Sequence, residues 1–235
     1  MEKLIIALDV ETLQEAEKLI DLLRGKAGAF KVGSELFAAA GPAVVEMIHG
    51  KGEKVFLDLK FHDIPNTVAK AVVQACRLEV FMLNLHAWGG SEMMRAAAAA
   101  ARRASANSKD SRPHLLGVTV LTSLDESILN KELGVHRPLR EQVVHLAKMA
   151  KEAGLDGVVA SPQEIREIRL ACGKDFLIVT PGVRPAWAAA GDQKRTMTPR
   201  EAVEAGADYI VVGRPILAAS DPFSAASRII EEIQA

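Results

Sequence analysis

Short apolar runs of β type recur at regular intervals along the chain: Leu4–Asp9, Ala29–Val32, Lys54–Leu59, Val80–His86, Leu115–Leu121, Gly157–Ala160, Leu177–Thr180 and Tyr209–Val212. Each is followed by a segment able to form a helix. The predicted helical segments are Thr12–Leu23, Glu35–His49, Ile64–Leu78, Ser91–Ala104, Leu139–Ala153, Pro162–Ala171, Pro199–Ala205 and Pro222–Ile233. Thr12, with Glu15 three residues on, and Ser34 before Glu35 read as helix starts. Gly25, Gly50, Gly154 and Gly206 fall where helices should stop.

Most of the strand runs are apolar throughout, as expected of a parallel sheet covered on both faces. Eight strand–helix alternations in 235 residues predict a (β/α)8 TIM barrel rather than an open sheet. No GxGxxG follows the first strand, which counts against a dinucleotide-binding sheet. No composition shift marks a boundary, so residues 1–235 are expected to form a single domain. The polar stretch Ser105–Arg112 fits a loop, and the six alanines Ala96–Ala101 are good helix material.

With 49% hydrophobic and 25% charged residues, the chain has ample core material. A formal net charge of −1 gives no electrostatic reason to expect nucleic acid or an anionic membrane as partner. An anionic ligand must then be held by local basic residues. Cys76 and Cys172 show no metal-like or CxxC spacing and read as buried, reduced thiols. The N-terminal MEKLIIALDV lacks a long apolar h-region, and no run approaches a membrane span. A soluble, cytoplasmic protein is expected.

In such barrels chemistry gathers at the C-terminal ends of the strands. The polar residues fall there. Strand one ends in Asp9, strand two carries Lys31 with Gly33 beyond, and strand three ends in Asp58 and Lys60. Strand four ends in Asn84 and His86, strand five in Thr122 and Ser123, strand six in Ser161. Strand seven runs into Thr180, Pro181, Gly182, Val183 and Arg184, and strand eight into Gly213 and Arg214. Taken singly, a strand-end Asp is commonly a turn or cap residue, Lys31 could snorkel to solvent, and His86 reads as a hydrogen-bonded core residue. His62 is expected to face solvent or a partner. Independent surface residues would not all collect on one rim.

Gly213 and Arg214, before the helix-competent Pro215–Leu217, match the phosphate site often found after strands seven and eight. Arg184 could add a bidentate cation. The long polar loop from Gly182 to Thr198 carries Gly191, Asp192, Gln193, Lys194 and Arg195, and reads as a lid that closes over phosphate, with a disordered surface loop as the alternative.

Within Asp58–Pro65, two carboxylates, Asp58 and Asp63, flank the Lys60 ammonium. Such a cluster is either a solvated strand end or a catalytic site. An ammonium between carboxylates stays protonated, which makes it a poor imine-forming nucleophile. It suits proton delivery to a developing carbanion. Lys31 and Asp9 would extend the row to Asp-Lys-Asp-Lys-Asp, each charge offsetting its neighbour's desolvation. The rival is a Mg²⁺ site on the two carboxylates, although the lysine between them already supplies positive charge.

"DLKFHDIPNT" at 58–67 resembles the signature of the orotidine 5′-phosphate decarboxylase family. So do "LDV" at 8–10, "FKVGSELF" at 30–37, "NLHAWGG" at 84–90, "VLTS" at 120–123, "VTPGVRP" at 179–185, "GDQKR" at 191–195 and "IVVGRPI" at 210–216. The matches run in order along the whole chain, and its length resembles the bacterial stand-alone type. The DxKxxD core alone is shared with related sugar-phosphate enzymes.

The resemblance implies conversion of orotidine 5′-monophosphate to UMP and CO₂ without metal or cofactor, the last step of de novo pyrimidine nucleotide synthesis. It implies that Lys60 protonates C6 and that Asp58 lies against the substrate carboxylate. Asp63, Ile64 and Thr67 are implied to reach the partner's active site in a two-fold homodimer. Asp9 and Lys31 would bind ribose hydroxyls, with Lys31 completing the charge row. Thr122 or Ser123 would contact the base, Pro181 would line the site, and Gln193 would bridge phosphate and pyrimidine. Arg184 and Arg214, with the Gly213 backbone, would hold the phosphate. One departure is Glu79, where the family usually has glycine, on a turn away from the rim. A metal-dependent relative should carry an acid on strand two, where this chain has Lys31. A catalytically silent nucleotide-phosphate binder could lose members of the charge row, yet all five are present.

Overall fold

The computed structural model describes residues 2–106, 112–188 and 196–234. Within them, eight parallel strands close into one barrel in sequence order, β1 pairing back onto β8. The strands are β1 (Leu4–Ala7), β2 (Ala29–Gly33), β3 (Val55–Phe61), β4 (Met82–His86), β5 (His114–Val118), β6 (Gly157–Val159), β7 (Leu177–Thr180) and β8 (Tyr209–Val212). The outer ring contains α1 (Leu13–Leu23), α2 (Ser34–Ala40), α3 (Ala43–Gly50), α4 (Pro65–Arg77), α5 (Gly90–Ala104), α6 (Glu126–Lys131), α7 (Leu139–Glu152), α8 (Ile165–Cys172), α9 (Pro199–Ala205), α10 (Arg214–Leu217) and α11 (Pro222–Gln234). The TIM-barrel expectation holds.

Local chemistry sets most helix ends. Thr12 and Glu15 close a reciprocal capping box on α1, as their spacing predicts, and Thr198 and Glu201 do the same for α9. Elsewhere the expected boundaries shift. The segment Glu35–His49 divides at Gly41-Pro42, because proline cannot donate to the turn before it. Gly33, not Ser34, is the N-cap of α2, so Ser34 is already helical. Gly50 ends α3 inside the helix, and the left-handed turn falls at Gly52. Short α6, capped by the Asp125 carboxylate, escaped the periodicity because it spans little more than one turn.

The core has two layers. Side chains pointing outward from the strands pack under the helices, Leu4, Ile6, Phe30, Leu57 and Leu83 among them. A smaller cluster fills the barrel interior: Ile5, Ala7, Ala29, Phe56, Met82, Leu116, Val179 and Val211. Two residues further along four of these strands stand Asp9, Lys31, Asp58 and Asn84. The period of two that builds the apolar plug therefore also places the polar residues above it. Among the described residues, no helix is long and apolar enough to cross a membrane.

Candidate active site

Four of the expected charges form one continuous row at the C-terminal rim. Lys31 Nζ lies 3.0 Å from Asp9 Oδ1 and 3.4 Å from Asp58 Oδ2. Lys60 Nζ lies 2.7 Å from Asp58 Oδ1. The side chains of Lys31 and Asp58 are only 11% and 13% exposed, so their pairing offsets desolvation that neither could bear alone. Asp9 is half exposed and closes the solvent end.

The fifth charge stands apart. Asp63 is exposed, its carboxylate accepts from the Ile64 N–H at 2.6 Å, and it enters no ion pair among the described residues. The expectation that Asp58 and Asp63 flank one ammonium within this chain is corrected: the backbone leaves the strand at Phe61 and carries Asp63 away. Ile64 beside it is 67% exposed, and Thr67 on the first turn of α4 is exposed as well.

Lys60 is held unusually. Its φ is +50°, a left-handed conformation rare in residues other than glycine. The pairing of β3 with β4 shifts register between Leu57 and Phe61, so the strand bulges there. Asn84, 1% exposed, accepts from the Lys60 N–H at 2.8 Å and donates to Asp58 Oδ1 at 2.6 Å. The strand-end position of Asn84 was visible in the sequence, but its two contacts depend on the bulge.

Lys31, Asp58 and Lys60 of the row line a cavity of about 300 Å³ whose walls also include Phe56, Val118, Thr122, Ser123, Val159 and Pro181. One side is charged and the rest is chiefly apolar, which suits a flat heterocycle beside a reacting centre. Thr122 and Ser123 reach it from a loop beyond β5, since that strand ends at Val118 rather than at Leu121. A second cavity of about 370 Å³ is bordered by Arg184, Trp187, Arg214 and Pro215. Gly213, preceding Arg214, stands close against the row: a Cβ built there would lie 3.2 Å from Asp9 Oδ2. The base of the Gly182–Thr198 loop is tied by the Val183–Met197 bridge and by the Arg184 N–H on Met197 O at 2.9 Å. Gln193, with Gly191, Asp192, Lys194 and Arg195, lies outside the described residues.

Other rim residues play different parts. The buried Ser161 hydroxyl accepts from the Gln163 N–H at 3.3 Å and caps a 3₁₀ turn over Pro162–Glu164. At His86 the buried Nδ1 finds no hydrogen-bond partner among the described residues. Its ring instead lies 5.3 Å from that of His62, centroid to centroid. Burial lowers the His86 pKa, and repulsion from His62 and Lys60 adds to this against the pull of Asp58. Both thiols are free, with Cys172 buried and Cys76 partly so, and burial pushes each pKa up. Among the described residues, no group of three or more His, Cys, Asp and Glu side chains is arranged to hold a metal ion.

The family model described as "Orotidine 5'-phosphate decarboxylase / HUMPS family" matches residues 2–229. The orotidine 5'-phosphate decarboxylase of Syntrophotalea carbinolica is 60% identical over 234 residues, covering 100% of this chain and 96% of that protein. That of Moorella thermoacetica is 58% identical over 233 residues, covering 99% and 92%. The crystal structure of orotidine 5'-phosphate decarboxylase from Lactobacillus acidophilus superposes with a TM-score of 0.87 at 42% identity, covering 99% of each chain. Charge row, barrel and relatives agree: the chain belongs to the orotidine 5'-phosphate decarboxylase / HUMPS family.

Proposed function

We propose that this chain decarboxylates orotidine 5′-monophosphate to UMP and CO₂, completing pyrimidine nucleotide synthesis, with Lys60 as proton donor. The observation that carries the reading is the Asp9–Lys31–Asp58–Lys60 row beside a heterocycle-sized cavity. Its residue pattern and the named relatives select this reaction among barrel chemistries.

The substrate's C6–carboxylate bond breaks, and CO₂ leaves without the bonding pair. That pair remains on C6 and takes a proton from the Lys60 ammonium, giving UMP and a neutral amine that solvent reprotonates. Asp58, held by two lysine ammonium groups, would face the substrate carboxylate and disfavour the bound ground state. The Lys60 charge stabilises the developing carbanion, a preorganised electrostatic contribution. Enzymes in general lower barriers by about 8–23 kcal/mol, and an unactivated vinylic carbanion asks for the upper part of that range.

Remote contacts would supply part of this. Arg184, Arg214 and the Gly213 backbone are assigned to the phosphate, next to the second cavity. Asp9 and Lys31 are assigned to ribose hydroxyls, Thr122, Ser123 and Pro181 to the base, and Gln193 to the lid. Binding energy gained at the phosphate can drive closure and exclude water at C6.

The working unit in this reading is a cytoplasmic homodimer. Asp63, Ile64 and Thr67, exposed in the single chain, would reach the partner's active site, where the Asp63 carboxylate would complete the charge row. An exposed isoleucine beside a rim carboxylate suits cover by a second copy.

The test is product analysis after EDTA-treated protein meets orotidine 5′-monophosphate. UMP and CO₂ in equal amounts are expected. Unchanged substrate in the presence of folded protein would overturn the reading and favour a Mg²⁺-dependent sugar-phosphate reaction.

A further inference from the structure

We propose that Asn84 is a positioning residue for the Lys60–Asp58 pair, its carboxamide replacing a strand neighbour that the β3 bulge removes. The inference rests on the decarboxylase reading and extends it.

Between the pairs Leu57–Leu83 and Phe61–Leu85, β3 advances four residues while β4 advances two. Asp58, Leu59 and Lys60 therefore stand opposite the single residue Asn84. In a regular parallel pair, a backbone N–H facing the neighbour finds its carbonyl. The bulge interrupts that ladder, and the Lys60 N–H is taken by Asn84 Oδ1 at 2.8 Å instead. Its other end, Nδ2, donates to Asp58 Oδ1 at 2.6 Å, the oxygen that also receives the Lys60 ammonium at 2.7 Å.

The amide orientation follows from chemistry, because a backbone N–H needs an acceptor and a carboxylate needs a donor. One buried side chain thus fixes the backbone and the counter-ion of the proton donor together. Lys60 has φ +50°, a conformation its own preferences oppose, so something outside the residue must hold it. A small displacement of the ammonium from C6 would disturb proton transfer far more than binding at the distant phosphate.

Aspartate at this position separates the contributions. Protonated, its carboxyl reproduces both contacts, donating to Asp58 and accepting from the Lys60 N–H. Ionised, it sets a second negative charge against Asp58. The groups facing position 84 are Asp58 and Lys60 on β3, Lys31 beyond Asp58 on β2, and His86 with His62 at the rim. An acid introduced at position 84 would adjoin the Asp58 carboxylate, and a neighbouring negative charge favours the neutral form of a carboxyl.

The experiment compares kcat and KM of the wild type, Asn84→Ala and Asn84→Asp across the pH range, with UMP binding measured on each protein. Asn84→Ala should lose about ten- to a hundredfold in kcat, with KM changed less than about threefold. Asn84→Asp should be impaired above neutral pH and recover as pH falls, a rise absent from the wild type. A kcat for Asn84→Ala within about twofold of wild type, or an Asn84→Asp profile parallel to wild type, overturns the proposal. If Asn84→Ala does not fold, the Asn84→Asp profile decides alone. A wild type that leaves the substrate unchanged overturns the decarboxylase reading instead. The crystal structure of Asn84→Ala then decides positioning: Lys60 still left-handed with its ammonium on Asp58 overturns the proposal, and a relaxed Lys60 supports it.

Discussion

Lys31 Nζ stands 3.4 Å from Asp58 Oδ2, on the side of the carboxylate opposite the one that holds Lys60. One carboxylate therefore serves two ammonium groups, and Lys31 in turn serves two carboxylates. Because Lys31 and Asp58 are shielded while Asp9 is half exposed, the members of the row should differ in their effect on stability.

Lys31→Ala leaves the Asp58 carboxylate shielded with one partner fewer, and should destabilise by about 1–3 kcal/mol. Asp9→Ala removes a solvent-screened partner and should cost less than about 1 kcal/mol. Urea unfolding of the two variants measures both values, and a larger loss for Asp9→Ala would contradict the burial-based ranking.

Glu79 occupies a left-handed position with φ +54°, between α4 and β4. The family resemblance leads to the expectation of glycine there, and the backbone has the left-handed shape that glycine favours. Glu79→Gly should relieve strain by more than the added freedom of the unfolded chain, a net gain of up to about 1 kcal/mol. For a chain of this size the melting temperature should rise by about 2–4 °C with turnover unchanged. A lower melting temperature would show that the Glu79 side chain contributes more than its backbone strain.

Burial and the nearby charges of His62 and Lys60 lower the His86 pKa. Above the unfolded value of about 6.5 the ring is neutral in both states and contributes no pH dependence. As pH falls below about 6.5 the unfolded chain takes up the proton first, so stability declines until pH passes the lowered folded value. His114 and His145 are shifted in the same direction and give a background of equal sign. His86→Gln should therefore show a shallower fall in melting temperature on acidification than the wild type. Identical slopes would mean that this imidazole is not held neutral by the fold.

Asp63 belongs to the partner's site in the proposed dimer, so Lys60→Ala and Asp63→Ala chains should each be inactive alone and complement each other when mixed. Random exchange of equal amounts restores about a quarter of the wild-type sites, since half the dimers carry one intact site. No recovery after verified subunit exchange would contradict a site shared between chains.

The barrel was legible because β-type runs and helical segments alternate with few interruptions, and both layers of its core are apolar. Asp9, Lys31, Asp58 and Lys60 could be placed on one rim by strand alternation alone. The bulge at Leu59 and Lys60 could not, because neither residue type signals a left-handed turn. Without the bulge, Asn84 is only another polar strand end. Asp63 stands apart from the row in its own chain for a related reason: nearness in sequence says nothing about direction once the strand has ended. The break at Gly41-Pro42 did have a signal in that dipeptide, which the apolar periodicity on either side outweighed.

The central claim, that Lys60 delivers the proton at C6, is tested most directly by the steady-state turnover of Lys60→Ala on orotidine 5′-monophosphate beside the wild type. UMP binding by both proteins is followed in parallel by calorimetry. The account predicts rapid metal-free decarboxylation by the wild type, and a folded variant that binds UMP yet shows no measurable turnover. Appreciable turnover by Lys60→Ala would contradict it.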